Sequence, residues 1–207
     1  MTASAVSAIV LAGGASSRFG GDKLAAQFAG RPLLERAVEA AAAVASEVIV
    51  VLAPGDDRAL PEASVPVRRA VDPERHGGPL VGLLAGLEVA GEPVAIVVGG
   101  DMPTLSPTVL AVLVRALGAT DGADAAVLVE RGATRPLPLA VRNGAASQAA
   151  RRLIGEGERS LRRLLDALSA RQLDEVEWRG LDPEGATLRD VDRPEDLAGL
   201  PRAGRRT

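Results

Sequence analysis

The sequence predicts an α/β protein with a mostly parallel sheet covered on both faces by helices. Three observations carry this. Short apolar runs without polar alternation, AIVLA at 8–12, EVIVVLA at 47–53 and VAIVV at 94–98, have the character of strands buried on both sides. Stretches of helical character at 32–44, 80–89 and 106–117 alternate with them. The first apolar run ends directly in a glycine-rich loop, LAGGASSRFGGDK, from Leu11 to Lys23.

Each element has its own signal. The strand at 8–12 is aliphatic and stops at glycine, and the helix at 32–44 (PLLERAVEAAAAV) opens on Pro32, a residue suited to a first turn. Pro54-Gly55 stops the strand at 47–53, and 67–71 reads as a short third strand. The helix at 80–89 precedes the strand at 94–98, and the next helix, 106–117, has Ser106 as its cap with Pro107 after it. The second half predicts strands at 125–130 and 137–141 and helices at 145–154 and 161–168. A strand at 173–178, a turn at Asp182-Pro183-Glu184-Gly185, and a short helix at 194–200 complete it. The expected organisation is a single domain over 1–200, with a half suited to a nucleotide at about 6–120 and a half for its acceptor at about 121–200. Residues 201–207 form a basic tail expected to be disordered.

Composition narrows the function. The chain has 207 residues, of which 47% are hydrophobic and 25% charged, ordinary values for a globular protein with a substantial core. Phe19, Phe28 and Trp178 are the only aromatics, so the core is aliphatic, and Trp178 reads as a packing residue. Few aromatics and a net charge of −3 argue against nucleic-acid binding. No cysteine means no disulfide, thiolate metal site or cysteine nucleophile. The first residues lack a signal-peptide pattern, and no run approaches the ~18 apolar residues of a membrane span, so a cytoplasmic protein is expected.

The Leu11–Lys23 loop fits neither standard phosphate pattern. GxxxxGK(S/T) fails because no hydroxyl follows Lys23, and GxGxxG fails because the glycines come in adjacent pairs. It still supplies backbone N–H groups at Gly13 and Gly14 and two cations, Arg18 and Lys23, which are what a polyphosphate requires. In open parallel sheets ligands bind beyond the carboxyl ends of strands, a rule that puts this loop and the segment after residue 98 on one rim. Asp101, closing VAIVVGGD on that rim, suits a hard cation, because Mg²⁺ takes one or two carboxylates plus substrate phosphates. Asp190 and Asp192 flank Val191 and would share a face if 187–191 were extended, although acids before a proline-led helix also serve its dipole. His76 is the single histidine and reads as a loop residue. Arg151-Arg152 and Arg162-Arg163 read as solvated helix faces. Together these parts allow attack on the α-phosphorus of a nucleoside triphosphate. A phosphate monoester, its second pKa about 6, needs cations but no general base to act as nucleophile.

Four segments carry a resemblance. LAGGASSRFGGDK resembles the LAGGxSxRMGxDK signature of the molybdenum cofactor guanylyltransferases, within the wider nucleotidyltransferases, with Phe19 in place of methionine. GGPLVGL (77–83) resembles their GPLAGI segment, VVGGDMP (97–103) their PCDMP segment, and DVDRPEDL (190–197) their NINTPEDL segment, in family order. The resemblance implies a three-layer α/β/α Rossmann-like nucleotidyltransferase fold. It implies nucleotide contacts at Leu11, Ala12, Gly13, Gly14, Lys23, Asp72, Gly78, Pro79, Leu80 and Asp101, with Arg18, Lys23 and Asp101 catalytic. It further implies Mg²⁺ at Asp101 and Asp192, with Asp190 a less definite third. The implied substrates are GTP and molybdopterin, the products a guanine dinucleotide cofactor and pyrophosphate, and the implied protein partners are molybdenum insertion proteins or acceptor molybdoenzymes in transient contact.

This sequence departs from the pattern at Gly99-Gly100, where Pro-Cys is usual, and at Asp190 and Asp192, where asparagine is common. Three alternatives remain: cytidylyl transfer to the same cofactor, transfer to a sugar phosphate or phospholactate, and a nucleotide-binding regulatory module without turnover. Gly14 and Gly78-Pro79-Leu80 favour guanylyl over cytidylyl transfer.

Overall fold

The computed structural model describes residues 6–14, 19–74 and 77–201. Arg18, His76 and residues 202–207 of the tail lie outside the described residues.

A seven-stranded sheet runs through the molecule, in spatial order β5 (Val67–Val71), β4 (Glu47–Leu52), β1 (Val6–Leu11), β6 (Val94–Gly99), β8 (Ala133–Arg142), β7 (Ala125–Glu130) and β9 (Ala170–Leu173). β1, β4, β5 and β6 are parallel to one another. β8 is antiparallel to both β6 and β7, and β9 pairs parallel to β7. The apolar runs are continuous because both faces are covered. Ala8 and Val10 of β1 join one core with Val48, Val50, Leu52, Ile96 and Val98, while Ile9 joins Ile49, Val51, Ala95 and Val97 on the other side.

Two helices, α1 (Leu33–Ala42) and α3 (Pro107–Ala119), cover the first face, and α2 (Pro79–Val89), α4 (Asn143–Gly155) and α5 (Leu161–Ala167) cover the second. Three layers result, as the sequence predicts. α1 buries Leu33, Leu34, Ala37, Val38 and Ala41, the spacing of a core-facing stripe. α2 is apolar except for the exposed Glu88 and lies unusually close to the sheet. A Cβ at Gly86 would sit 2.6 Å from Ile9 Cγ2 and 3.0 Å from Val51 Cγ2, so only glycine admits this approach.

Chain order and space part at one point. β4 pairs with one side of β1 and β6 with the other, leaving a switch point between the carboxyl ends of β1 and β6. Leu11 pairs with Gly99 there, so the glycine loop and the Asp101 segment leave the sheet side by side.

Several local expectations are corrected. Pro32 ends a two-residue strand and precedes α1 instead of forming its first turn. It belongs to a small hairpin, β2 (Gln27–Phe28) with β3 (Arg31–Pro32), closed by Ala29 and Gly30 at positive φ. Ser106 stands at the cap position of α3, but its hydroxyl pairs with Thr108 Oγ1 at 2.8 Å and makes no capping bond. β8 starts four residues earlier than expected, straight after a turn in which Arg131 and Gly132 both have positive φ. The strand expected at 173–178 is the end of β9 followed by α6 (Glu175–Trp178). Asp174 and Glu177 form a capping box there, the Asp174 N–H donating to Glu177 Oε2 at 2.9 Å. Residues 186–188 form a 3₁₀ turn, not the start of an extended 187–191, and the final helix is a 3₁₀ helix over Pro194–Gly199. Trp178 packs as expected, fully buried with its indole N–H donating to the Val129 carbonyl at 3.2 Å.

Candidate active site

A cavity of about 380 Å³ opens at the switch point. Leu11, Ala12, Gly13 and Gly14 line it from the end of β1, Gly99 and Asp101 from the end of β6, and Gly78 and Pro79 from the start of α2. Lys23 and Asp72 complete the polar wall. Backbone hydrogen bonds fix this rim: Gly100 N–H donates to the Leu11 carbonyl at 2.9 Å, and Ala12 N–H to Val51 at 2.8 Å.

Lys23 reaches the rim because Asp22 begins a short 3₁₀ turn, its Oδ1 accepting from the Leu24 N–H at 3.1 Å. The ammonium then meets Asp101 Oδ2 at 2.7 Å and Asp192 Oδ1 at 3.4 Å, joining positions 78 and 169 residues apart in the chain. Burial pulls the Lys23 pKa down, but the charges and hydrogen bonds of Asp101 and Asp192 outweigh it and hold the ammonium above its ordinary value. Lys23 is therefore a fixed cation at neutral pH.

The DVDRPEDL segment arrives through the backbone. Val191 N–H donates to the Asp101 carbonyl at 3.0 Å, which draws Asp190 and Asp192 to the edge of the site. Burial pushes the Asp190 carboxyl up and its own backbone amide pulls it down, while the Asp101 and Asp192 charges raise it further against a smaller opposing pull from Arg135. Asp190 itself lines a neighbouring cavity with Arg135.

Gly99 allows the Asp101 carboxylate to fold back over the chain, since a Cβ at 99 would lie 2.5 Å from Asp101 Oδ1. The Gly-Gly departure from Pro-Cys therefore shapes the carboxylate's position directly. Asp72 is buried, and its Oδ1 accepts the Glu74 N–H at 2.9 Å. Burial pushes its carboxyl up, the Glu74 amide pulls it down, and the Glu74 charge pushes it up again.

Of the ten expected nucleotide contacts, nine line the cavity and Leu80 does not. Leu80 is fully buried in the second core, with its N–H donating to the Arg159 carbonyl at 3.1 Å. One residue after Pro79, the helix has turned that side chain from the cavity to the sheet. Gly82, inside the GGPLVGL segment, lines the cavity too, and so do Leu24, Val51 and Leu137, which carried no site signal in the sequence. Val51 and Leu137 enter as strand residues whose part in the wall depends on the sheet order. Among the described residues no three potential metal ligands converge. A divalent ion here would be held by Asp101, joined by Asp192, with substrate phosphates completing its shell. These two carboxylates fit such an ion, because both already reach one cationic centre, the Lys23 ammonium. Arg151 pairs with Glu88, and Arg152 with Glu156, on exposed helix faces as expected.

A glycine-walled cavity with a lysine and a carboxylate at the switch point of a parallel sheet defines a nucleotide-binding α/β protein. The chain belongs to the MobA-like NTP transferase domain family, whose model matches residues 8–175. It is 35% identical over 195 residues to a probable molybdenum cofactor guanylyltransferase of Chloroflexus aggregans, covering 93% of this chain and 91% of that protein. A protein of the same description from Mycobacterium avium is 36% identical over 200 residues, with 94% of each chain covered. The crystal structure of molybdopterin-guanine dinucleotide biosynthesis protein A from Archaeoglobus fulgidus shares the fold, with a TM-score of 0.76, 22% identity, and coverage of 93% of this chain and 95% of that one.

Proposed function

We propose that this protein transfers GMP from GTP to the phosphate of molybdopterin, giving the guanine dinucleotide cofactor and pyrophosphate. The observation that carries the proposal is the Lys23–Asp101 pair, 2.7 Å apart, on the wall of a cavity lined by Ala12, Gly13 and Gly14. Relatives described as molybdenum cofactor guanylyltransferases over nearly the whole chain support the choice of substrates.

On this reading the loop amides at Gly13 and Gly14 and the Lys23 ammonium hold the triphosphate, with Arg18 a further cation of the same loop. Asp72 supplies a hydrogen-bond acceptor inside the pocket, and Gly78 and Pro79 close its side. Mg²⁺ on Asp101 and Asp192 neutralises phosphate charge when bound. An oxygen of the acceptor's phosphate bonds to the α-phosphorus while the bond from that phosphorus to the bridging oxygen breaks. Pyrophosphate leaves with the electron pair. The acceptor phosphate is largely dianionic at pH 7, so the step needs no base, and Lys23 serves by offsetting repulsion between two anions.

The half at 6–120 takes the nucleotide on this reading, and the half at 121–200 the acceptor. A cytoplasmic location and transient contact with molybdenum insertion proteins or acceptor molybdoenzymes fit the same function. Among the described residues no helix is long and apolar enough to cross a membrane.

The test is direct. The protein is incubated with Mg²⁺, molybdopterin and each nucleoside triphosphate in turn, and pyrophosphate and dinucleotide are measured. GTP is expected to give both products. Product with CTP alone would overturn the guanine assignment, and tight nucleotide binding without product would leave a regulatory module.

A further inference from the structure

β8 runs antiparallel to β6, so its first residues lie at the rim where β6 ends. Its pairing with β7 jumps from Val127–Leu139 to Leu128–Arg135, leaving residues 136–138 as a bulge. Leu137 in this bulge lines the nucleotide cavity, while Arg135 lines the neighbouring cavity of about 500 Å³ beside Asp190. We propose that Arg135 is the anchor for the acceptor's phosphate. The inference rests on the reading above, in which the second substrate is a phosphate monoester.

The guanidinium is held but not satisfied. Its Nη2 donates to the Leu188 carbonyl at 3.3 Å, and its Nε is buried with no hydrogen-bond partner among the described residues. A buried cationic N–H without an acceptor is unfavourable, so packing alone does not account for this placement of the guanidinium. Two other arginines line the cavity, and each is placed differently. Arg189 donates to the carbonyls of Glu184 and Gly199, and Arg131 sits on the hairpin turn beyond the strand. Arg135 shares this cavity with Asp190 and stands two residues from Leu137, which walls the nucleotide cavity.

The chemistry asks for such a group. Transfer brings a phosphate monoester against a triphosphate. Lys23, tied to the nucleotide wall by Asp101 and Asp192, is placed to serve the triphosphate. A second cation on the acceptor side would hold the incoming dianion as its oxygen bonds to the α-phosphorus and pyrophosphate departs. The planar guanidinium fork suits a phosphate better than a point charge, because it donates two parallel hydrogen bonds.

Two variants test this by steady-state kinetics with GTP, Mg²⁺ and molybdopterin, alongside thermal melting. Arg135→Gln keeps a donor for the Leu188 carbonyl and removes the charge. It is expected to raise the molybdopterin KM more than tenfold while the GTP KM stays within twofold. Arg135→Lys keeps the charge without the fork and is expected to raise the molybdopterin KM at least threefold, less than the Gln variant. If the Gln variant fails to fold, the Lys variant decides on the same threefold criterion. An unchanged molybdopterin KM, a GTP KM rising in step with it, or a fall in kcat alone would overturn the anchoring role. Failure of the wild-type protein to form product from molybdopterin would instead overturn the reading on which this inference rests.

Discussion

Lys23 Nζ lies 2.7 Å from Asp101 Oδ2, and this pair joins the loop after the first strand to the end of the fourth strand of the parallel half. Each partner holds the other at the rim. Asp101→Ala removes the carboxylate proposed for Mg²⁺ and frees Lys23 to turn away. The expected result is a loss of about 10²–10³-fold or more in kcat/KM, the scale of deleting one preorganised electrostatic group, with the melting temperature little changed. Pyrophosphate release and thermal melting check the two halves of this statement, and near-normal turnover would refute the role of Asp101.

Asp72 separates binding from stability. Its carboxyl is pushed up by burial, so the ionised form is disfavoured in the fold. A group with a raised folded-state pKa contributes stability below its unfolded value, about 3.9, and loses it as pH rises through the folded value. Asp72→Asn should therefore melt higher than the wild type at pH 7. The difference should shrink as pH falls towards 4, while GTP affinity drops at neutral pH. Equal melting curves at pH 7 would count against burial as the cause.

Glu47 shows the opposite sign. Burial would raise its carboxyl, but the Ser7 hydroxyl, the Gly91 N–H and Arg68 outweigh it, each donating at 2.7 Å, and hold it below the ordinary glutamate range. Its contribution is present above the unfolded value, about 4.3, and is lost as pH falls through the lower folded one. Glu47→Ala leaves the buried Ser7 hydroxyl with no acceptor for its proton, although the Glu92 N–H still donates to it, and is expected to cost about 2 kcal/mol at pH 7. Urea unfolding at pH 7 and at pH 3.5 should show the gap to wild type narrowing in acid, with turnover by the folded variant unchanged.

Gly78 has φ +88, and a Cβ there would meet Arg159 Cβ at 2.8 Å. Gly78→Ala combines a backbone conformation almost reserved for glycine with that clash, and about 2 kcal/mol or more of destabilisation is expected. Because Gly78 also walls the cavity, the GTP KM should rise with it. Unchanged stability together with an unchanged GTP KM would show that the loop relaxes freely.

The sequence by itself determined the parallel half. Runs such as AIVLA and VAIVV are apolar on both sides because each face carries a helix layer, and that pattern needs no knowledge of neighbours. The glycine loop and Asp101 were legible for a related reason, since strand ends in such sheets are where ligands meet backbone amides, whereas Asp72 came only from the family resemblance. The second half was less legible. Pro136 and Pro138 interrupt the pattern of β8, and Leu173, Val176 and Trp178 make 173–178 read as a strand although the Asp174–Glu177 capping box turns Glu175–Trp178 into a helix. Only the tertiary structure decided that Lys23 meets both Asp101 and Asp192, that Leu80 faces the core, and that Arg135 stands beside Asp190 with a buried, unpartnered Nε. Sheet order and the close approach of α2 fix those distances, and both depend on contacts between residues far apart in the chain. Local periodicity records which face of a segment is buried, but it carries no record of which distant side chain lies opposite.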